Sequence, residues 1–212
     1  NHSLGAYAAG IWKLDEGSGS QAKDMSGNEN HGAWEGTIQW VDSLSQLKTA
    51  GDFDGSWSHH IQVPNDDSLN IEQKITLEVW AKAETVDDNI RYAVYKGAQY
   101  YIRIRERKFE FLLRDEDGSY RRATDDAEVE PGKWYHVLGT YDGAQTRIFV
   151  NGEQVGSNNF SKNLYISSNP LFIGRYFNGV VDEVKVYSED LALSEIKRHY
   201  AQGARERGLV LE

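Results

Sequence analysis

The sequence contains no cysteine. Disulfide staples and thiolate chemistry are therefore excluded, and the redox compartment is left open. Long apolar runs are also missing. None approaches the ~18 residues that mark a membrane-spanning helix, so no membrane insertion is expected. The start of the chain offers no secretory leader, because the stretch Ala6 to Gly10 is too short for an apolar leader core. It opens at Asn1 and not at a methionine, which leaves export open. Basic residues are in the minority, 23 against 33 acidic ones, for a net charge of −10. That balance argues against a nucleic-acid or anionic-membrane partner and suits cations. Two catalytic signatures are absent as well. There is no Gly-x-Ser-x-Gly elbow for a serine nucleophile, and no glycine-rich phosphate loop ending in Lys-Ser or Lys-Thr.

What is present is strand chemistry. Aromatics make up 12% of the 212 residues, with six Trp and twelve Tyr. The stretch from Pro131 to Ser157 organises the rest. Asp142-Gly143 and Asn151-Gly152 tolerate the positive φ angles of tight hairpins. They divide three runs that read as strands: Trp134 to Tyr141, Gln145 to Val150 and Glu153 to Gly156. The first run is bulky on both faces, with Trp134, His136 and Leu138 on one and Val137 and Tyr141 on the other. Such a strand needs cover on both sides, as inside a sandwich.

Further short strands are expected at 11–14, 36–41, 60–63, 75–81, 92–96, 100–105, 108–114, 120–122, 171–174 and 179–187. Ile75, Leu77, Val79 and Ala81 alternate with Thr76, Glu78 and Trp80, as half-buried strands do. One helix is expected, near the C-terminus. Ser194 reads as its N-cap, Glu195 suits the positive end, and Gly203 reads as its stop. Ile196 and Tyr200 share its docking face. The expectation is one all-β domain over residues 1–203, a two-sheet antiparallel sandwich with one short helix. A mobile tail is expected over 204–212.

Several strings resemble, in order and spacing, the laminin-G-like jelly-roll branch of the concanavalin A-like lectin and glucanase superfamily. They are residues 12–19, 24–32, 52–55, 75–80, 134–143, 147–152, 172–174 and 181–187, with 191–200 similar to the family's closing helix. The resemblance implies two face-to-face sheets, one of them concave. It implies a carbohydrate-binding or adhesion module, exported to the periplasm, the cell surface or the medium and part of a larger multidomain protein. The implied partner is a glycan or a cell-surface glycoconjugate. The alternatives are a glucanase-type hydrolase and a structural protein-docking domain.

Glycoside hydrolysis needs two carboxyl groups ~5 to 9.5 Å apart. The family's glucanases carry them as Glu-x-Asp-x-Glu on one strand face, and no such string occurs here. Asp182 and Glu183 are adjacent, so a regular strand sends them to opposite faces. Asp126, Glu128 and Glu130 have the right period but run into Pro131-Gly132 and read as loop. The expectation is therefore a non-enzyme.

The family's habit implies a structural Ca²⁺. Asp24, Ser26, Asn28 and Asn30 place oxygen donors at every second residue of one loop, a pattern hard cations accept. An Asx-rich turn that satisfies its own backbone has the same composition. Asp54 and Asp182 are the further candidates, because the resemblance sets their strands near each other. The related pentraxins hold ligand through an acidic cluster after the strand similar to Leu171 to Gly174. Here Arg175, Tyr176, Phe177 and Asn178 take that place, which points to a structural ion and not a ligand-bridging one.

A glycan site requires aromatic faces with planar polar groups beside them. Tyr176 is the first candidate for stacking and Arg114 for its polar partner. Tyr95, Gln99, Tyr120 and Arg175 complete the expected set. For the arginines of this region, cross-strand pairing with Glu106 and Glu110 is the alternative.

Overall fold

The structure, a computed structural model, describes residues 7–37, 39–43 and 48–210. In chain order the strands are β1 Ala8–Trp12, β2 Gln21–Ala22, β3 Gly32–Glu35, β4 Trp40–Asp42, β5 Thr49–Asp54, β6 His60–Val63, β7 Ile75–Ala83 and β8 Arg91–Lys96. They continue as β9 Tyr100–Arg105, β10 Lys108–Arg114, β11 Tyr120–Thr124, β12 Tyr135–Tyr141, β13 Gln145–Val150, β14 Glu153–Asn159, β15 Leu171–Ile173 and β16 Asn178–Tyr187. Helix α1, Leu193–Glu206, closes the chain. The first sheet runs β14-β13-β12-β7-β16-β5-β4, with β1 extending the β5 side of β16. The second runs β11-β10-β9-β8-β15-β6-β3-β2. Neighbouring strands in both sheets are antiparallel, as the hairpin signals require. The expected strand at 36–41 is shorter than its sequence suggests: it starts at Trp40, and Ile38 lies outside the described residues.

Alternation decides which side chains meet between the sheets. Leu77, Val79, Val137, Ile148 and Val184 face Ile61, Val94, Ile102, Phe111 and Ile173 in one core. The approach at Gly139 is close, since a Cβ there would lie 2.1 Å from Cγ of Phe111. Strand β12 is covered on both faces, as its bulk demands. Val137 and Tyr141 enter the sandwich core. On the outer side Leu138 packs with Ile196 and Leu191, and Trp134 with Trp80 and Ala204.

That outer cover is α1, and it differs from its sequence reading at both ends. The N-cap is Ala192, not Ser194. No side chain caps it, but the Glu195 carboxylate accepts the Ala192 N–H at 3.2 Å. The helix also passes through Gly203 instead of stopping there. Glycine is needed because a Cβ would come within 2.5 Å of Trp80 Nε1. The helix thus lies directly on Trp80, which outweighs glycine's low helix propensity. Nor do residues 204–210 form a mobile tail. Arg207 is buried, its guanidinium 4.3 Å from the Trp80 ring and 4.9 Å from the Trp134 ring, and it is ion-paired with Asp182. Residues 211–212 lie outside the described residues.

The expectation that Asp182 and Glu183 point to opposite faces is also overturned. Strand β16 bulges between Asp182 and Lys185, with Glu183 in the left-handed region at φ 49°. Val181 and Val184 both enter the core, so the two acids between them lie on the outer side.

Candidate functional site

The first sheet's outer face is occupied by α1. Among the described residues, no helix lies on the outer face of the second sheet. Its side chains follow from the core pattern. Tyr100 and Ile102 point inward, so Tyr101 and Arg103 point out; Leu171 and Ile173 point inward, so Phe172 points out. A bulge in β8 between Tyr92 and Val94 brings Tyr92 and Tyr95 to the same side, their ring centroids 4.8 Å apart. The rings form a continuous row. Tyr120 lies 6.5 Å from Tyr101, Tyr101 lies 5.6 Å from Tyr95, Tyr95 stacks on Phe172 at 6.2 Å, and Phe172 meets His60 edge-on at 5.1 Å.

Arg175 ends this row. Its Cζ lies 4.2 Å from the Phe172 centroid and 3.3 Å from the Trp57 centroid, so the guanidinium is held between two rings. Its Nε is buried without a hydrogen-bond partner, and no carboxylate pairs with Arg175 among the described residues. Burial pulls its pKa below the ordinary guanidinium value, the sign expected of a cation lacking a counter-charge. Trp57 is 56% exposed, and its ring lies 5.5 Å from that of Tyr176. Tyr176 itself adopts φ 58°, a conformation that costs a non-glycine residue energy and here aims an exposed ring outward. Beside it a cleft of about 620 Å³ opens between Ile90, Tyr92 and Gly55.

At the other end of the row, Arg114 lies 4.3 Å from the Tyr165 ring and 5.9 Å from the Tyr120 ring. Its Nε donates to the Gly118 carbonyl at 3.3 Å. Asp115, the acid beside it, is taken by Arg121. Arg103 and Arg105 behave as an ordinary strand face, pairing with Glu110 at 2.7 Å and Glu106 at 3.1 Å.

The structure therefore gathers Tyr95, Arg114, Tyr120, Arg175 and Tyr176 on one face. Gln99 does not belong with them. It is fully buried and ties loops together, donating to Ile71 O at 2.8 Å and accepting from Ser167 N at 3.4 Å. Phe172, which as a strand residue invites a core reading, is outward instead; the alternation of Leu171 and Ile173 was the signal. Tyr101 joins the row for the same reason, whereas Tyr92 does so through the β8 bulge, which alternation does not foretell. Trp57 sits on the 55–59 turn and carries no periodic signal.

The metal candidates lie at different places with different partners. Asp24 accepts Ile11 N–H and Ser26 N–H on Oδ1, and Ser26 Oγ–H and Asn30 N–H on Oδ2. Asn28 and Asn30 turn their NH₂ groups to the carbonyls of Ala8 and Ala9. Asp54 sits at the end of β5 beside Ser56 and His59. The strands of Asp54 and Asp182 are neighbours, as expected, with β5 pairing β16 at Asp54 and Asn178. The Asp182 carboxylate nevertheless turns under α1 to Arg207, where burial raises its pKa to about 7 against the pull of that cation. No group of three His, Cys, Asp or Glu side chains among the described residues is placed to hold a metal. An oxygen cage that suits a cation does exist elsewhere. The buried Lys96 ammonium fills it, donating to Asn65 Oδ1, Asn70 Oδ1 and the carbonyls of Ser167 and Asn169 at 2.7–3.3 Å. Burial lowers its pKa to about 8.

One further charged cluster lies between α1 and the first sheet. Glu78 is fully buried and accepts from His136 Nε2 at 3.0 Å, His199 Nδ1 at 2.8 Å and Lys185 Nζ at 3.0 Å. Burial alone would raise its pKa. Lys185 and the two histidine hydrogen bonds outweigh that and hold it well below the ordinary carboxylate range.

Two antiparallel sheets packed face to face, with a closing helix on one and a row of outward-pointing rings on the other, define a jelly-roll sandwich. The model of the concanavalin A-like lectin/glucanases superfamily matches residues 54–197, and the chain belongs to that superfamily. No curated protein sequence matches it. Among solved structures, the binding domain of Paraclostridial Mosquitocidal Protein 1 superposes with a TM-score of 0.80 at 15% identity, over 99% of this chain and 57% of that one. The ligand-binding domain of botulinum neurotoxin serotype D, in complex with N-acetylneuraminic acid, gives 0.75 at 15% identity, over 94% and 53%. Domain 4 of AbnA, an extracellular arabinanase from Geobacillus stearothermophilus, in complex with arabinotriose, gives 0.72 at 17% identity, over 91% and 97%. The chain thus spans just over half the length of the toxin structures it matches, and nearly all of the arabinanase domain.

Proposed function

We propose that this chain is a non-catalytic carbohydrate-binding module whose glycan lies on the outer face of the second sheet. The observation that carries the reading is the row of rings from Tyr120 to Trp57 with two arginines, Arg114 and Arg175, at its ends, neither paired with a carboxylate among the described residues. Sugar C–H groups pack on aromatic faces, and guanidinium N–H groups orient hydroxyls. Two of the similar structures hold sugars, one a sialic acid and one an arabinotriose, which supports the ligand class. A hydrolase finds less support, because the acids on the outer side of the first sheet are matched by cations. Asp182 pairs with Arg207, Glu183 with Lys48 and Lys185, and Glu78 with three donors. Export and membership of a larger surface or secreted protein, with a cell-surface glycoconjugate as partner, belong to the same proposal. They are supported by the extracellular arabinanase and by the partial coverage of the toxin domains. A glycan array run beside a reducing-sugar release assay tests it. Binding without turnover is expected. Turnover of any glucan would establish the hydrolase, and silence in both assays would favour a protein-docking domain.

A calcium ion at Asp24 finds little support in the donor set, since both carboxylate oxygens already accept N–H or O–H groups and the neighbouring amides present NH₂. Thermal melts with calcium and with EDTA are expected to coincide. A site occupied a hundredfold above its dissociation constant would instead separate them by a stabilisation of about 2.7 kcal/mol, and would return the ion to this loop.

A further inference from the structure

Of the arginines on this molecule, most have a carboxylate. Arg91, Arg103, Arg105, Arg107, Arg121, Arg122, Arg147 and Arg207 each sit within 4 Å of one. Arg175 is the buried exception among the described residues. It is 9% exposed, its Nε is buried without a partner, and its terminal nitrogens meet no carboxylate among the described residues. Leaving a buried charge this way is costly unless something completes it. Solvent completes it only in part, because Trp57 and Phe172 cover both faces of the guanidinium. What remains open is the edge, and an edge of parallel N–H bonds is matched by a planar, bidentate anion. In a chain with net charge −10 the surrounding field does not collect anions. A positive group kept free of its many available acids is therefore a local feature with a local purpose.

We infer that Arg175 forms an acid-reading subsite, which takes the carboxylate of an acidic sugar residue while the ring of that sugar packs against the exposed part of Trp57. This rests on the carbohydrate reading above and narrows it to glycans bearing a carboxylated sugar. Tyr176 borders the same subsite. Its left-handed backbone keeps its ring beside Trp57, and its carbonyl accepts from Arg91 Nη1 at 3.3 Å, which anchors the turn. Arg91 itself is held by Asp87 at 2.6 Å, so it adds no second free cation. Lysine is not expected to replace Arg175, because an ammonium has neither the flat face for two rings nor the fork for a carboxylate.

The test uses matched pairs of oligosaccharides terminated by glucuronic, galacturonic or sialic acid, each beside its methyl ester. The ester keeps the sugar and removes the charge. At least one acid is expected to bind about tenfold more tightly than its ester, a charge-assisted bidentate contact being of that order. That preference should shrink as salt is raised. Arg175→Gln and Arg175→Lys are each expected to abolish the preference, bringing acid and ester to within about twofold of one another even where both bind more weakly than to the wild-type chain. A melting temperature measured on each variant keeps a loosened Trp57 loop from passing as a lost subsite. Equal binding of acid and ester by the wild-type chain would overturn the inference and leave the carbohydrate reading standing. So would an acid preference that survives in Arg175→Gln. Failure to bind any member of the panel, or any neutral glycan on the array, would overturn both.

Discussion

Replacing Glu78 by alanine is expected to destabilise the protein by about 3–5 kcal/mol, the range for removing one partner of a buried charged group. The carboxylate is fully buried and answers three donors at once. Without it, Lys185 is left as a largely buried ammonium and His199 loses the hydrogen bond that ties α1 to the sheet. Pairing Glu78→Gln with Lys185→Met should recover a good part of the loss, because the uncompensated charge is gone. A double-mutant cycle by urea denaturation measures this. The pH dependence has a definite sign. Burial lowers His136 below its ordinary 6.5, against the pull of Glu78. Its Nδ1 is buried without a partner while Nε2 faces Glu78, so a second ring proton has no acceptor. The His136 contribution is complete above about pH 6.5 and declines as the pH falls through its folded value. The Glu78 contribution is complete above its ordinary 4.5 and is lost as the pH falls towards its much lower folded value. Acid thus weakens the wild type in two stages. The Glu78→Gln variant should lack the lower one.

The second large effect concerns binding. Trp57→Ala is expected to weaken glycan binding by about 2 kcal/mol, roughly thirtyfold, as loss of an exposed aromatic anchor does. Because Trp57 is 56% exposed and outside the sandwich core, its melting temperature should change little. A titration by calorimetry beside a thermal melt separates the two. Loss of stability without loss of affinity would show that the ring is scaffold.

Much of the sandwich was legible because hairpin dipeptides and alternation are local signals. Asp142-Gly143 and Asn151-Gly152 turn where their chemistry says, and β7 alternates in facing as written, although its second face, with Thr76, Glu78 and Trp80, is buried too and not half-exposed. The misreadings lie where tertiary contact decides. Gly203 looks like a helix stop, yet it stays helical because Trp80 sits against it. Arg207 looks like a tail residue until Asp182, distant in sequence, is seen beneath it. The bulges in β8 and β16 add residues that no period predicts, and each changes which side chains share a face. The candidate face was half legible. Tyr95, Tyr120, Arg114, Arg175 and Tyr176 could be proposed from composition and position. Gln99 was drawn in by its polarity, although its amide is what two buried loops require. Trp57 came together with Arg175 only through the pairing of β6 with β15, which neighbours in sequence do not announce.

The central claim is that ligand occupies the outer face of the second sheet. The direct measurement is heteronuclear NMR of the labelled chain titrated with the strongest glycan from the array. The expected result is saturable shifts at the Trp57 indole N–H and at the side chains of Tyr95, Phe172, Arg175 and Tyr176, with α1 and the β12–β14 hairpins unmoved. Shifts confined to α1, to the Asp24 loop or to the β12–β14 edge would contradict the account.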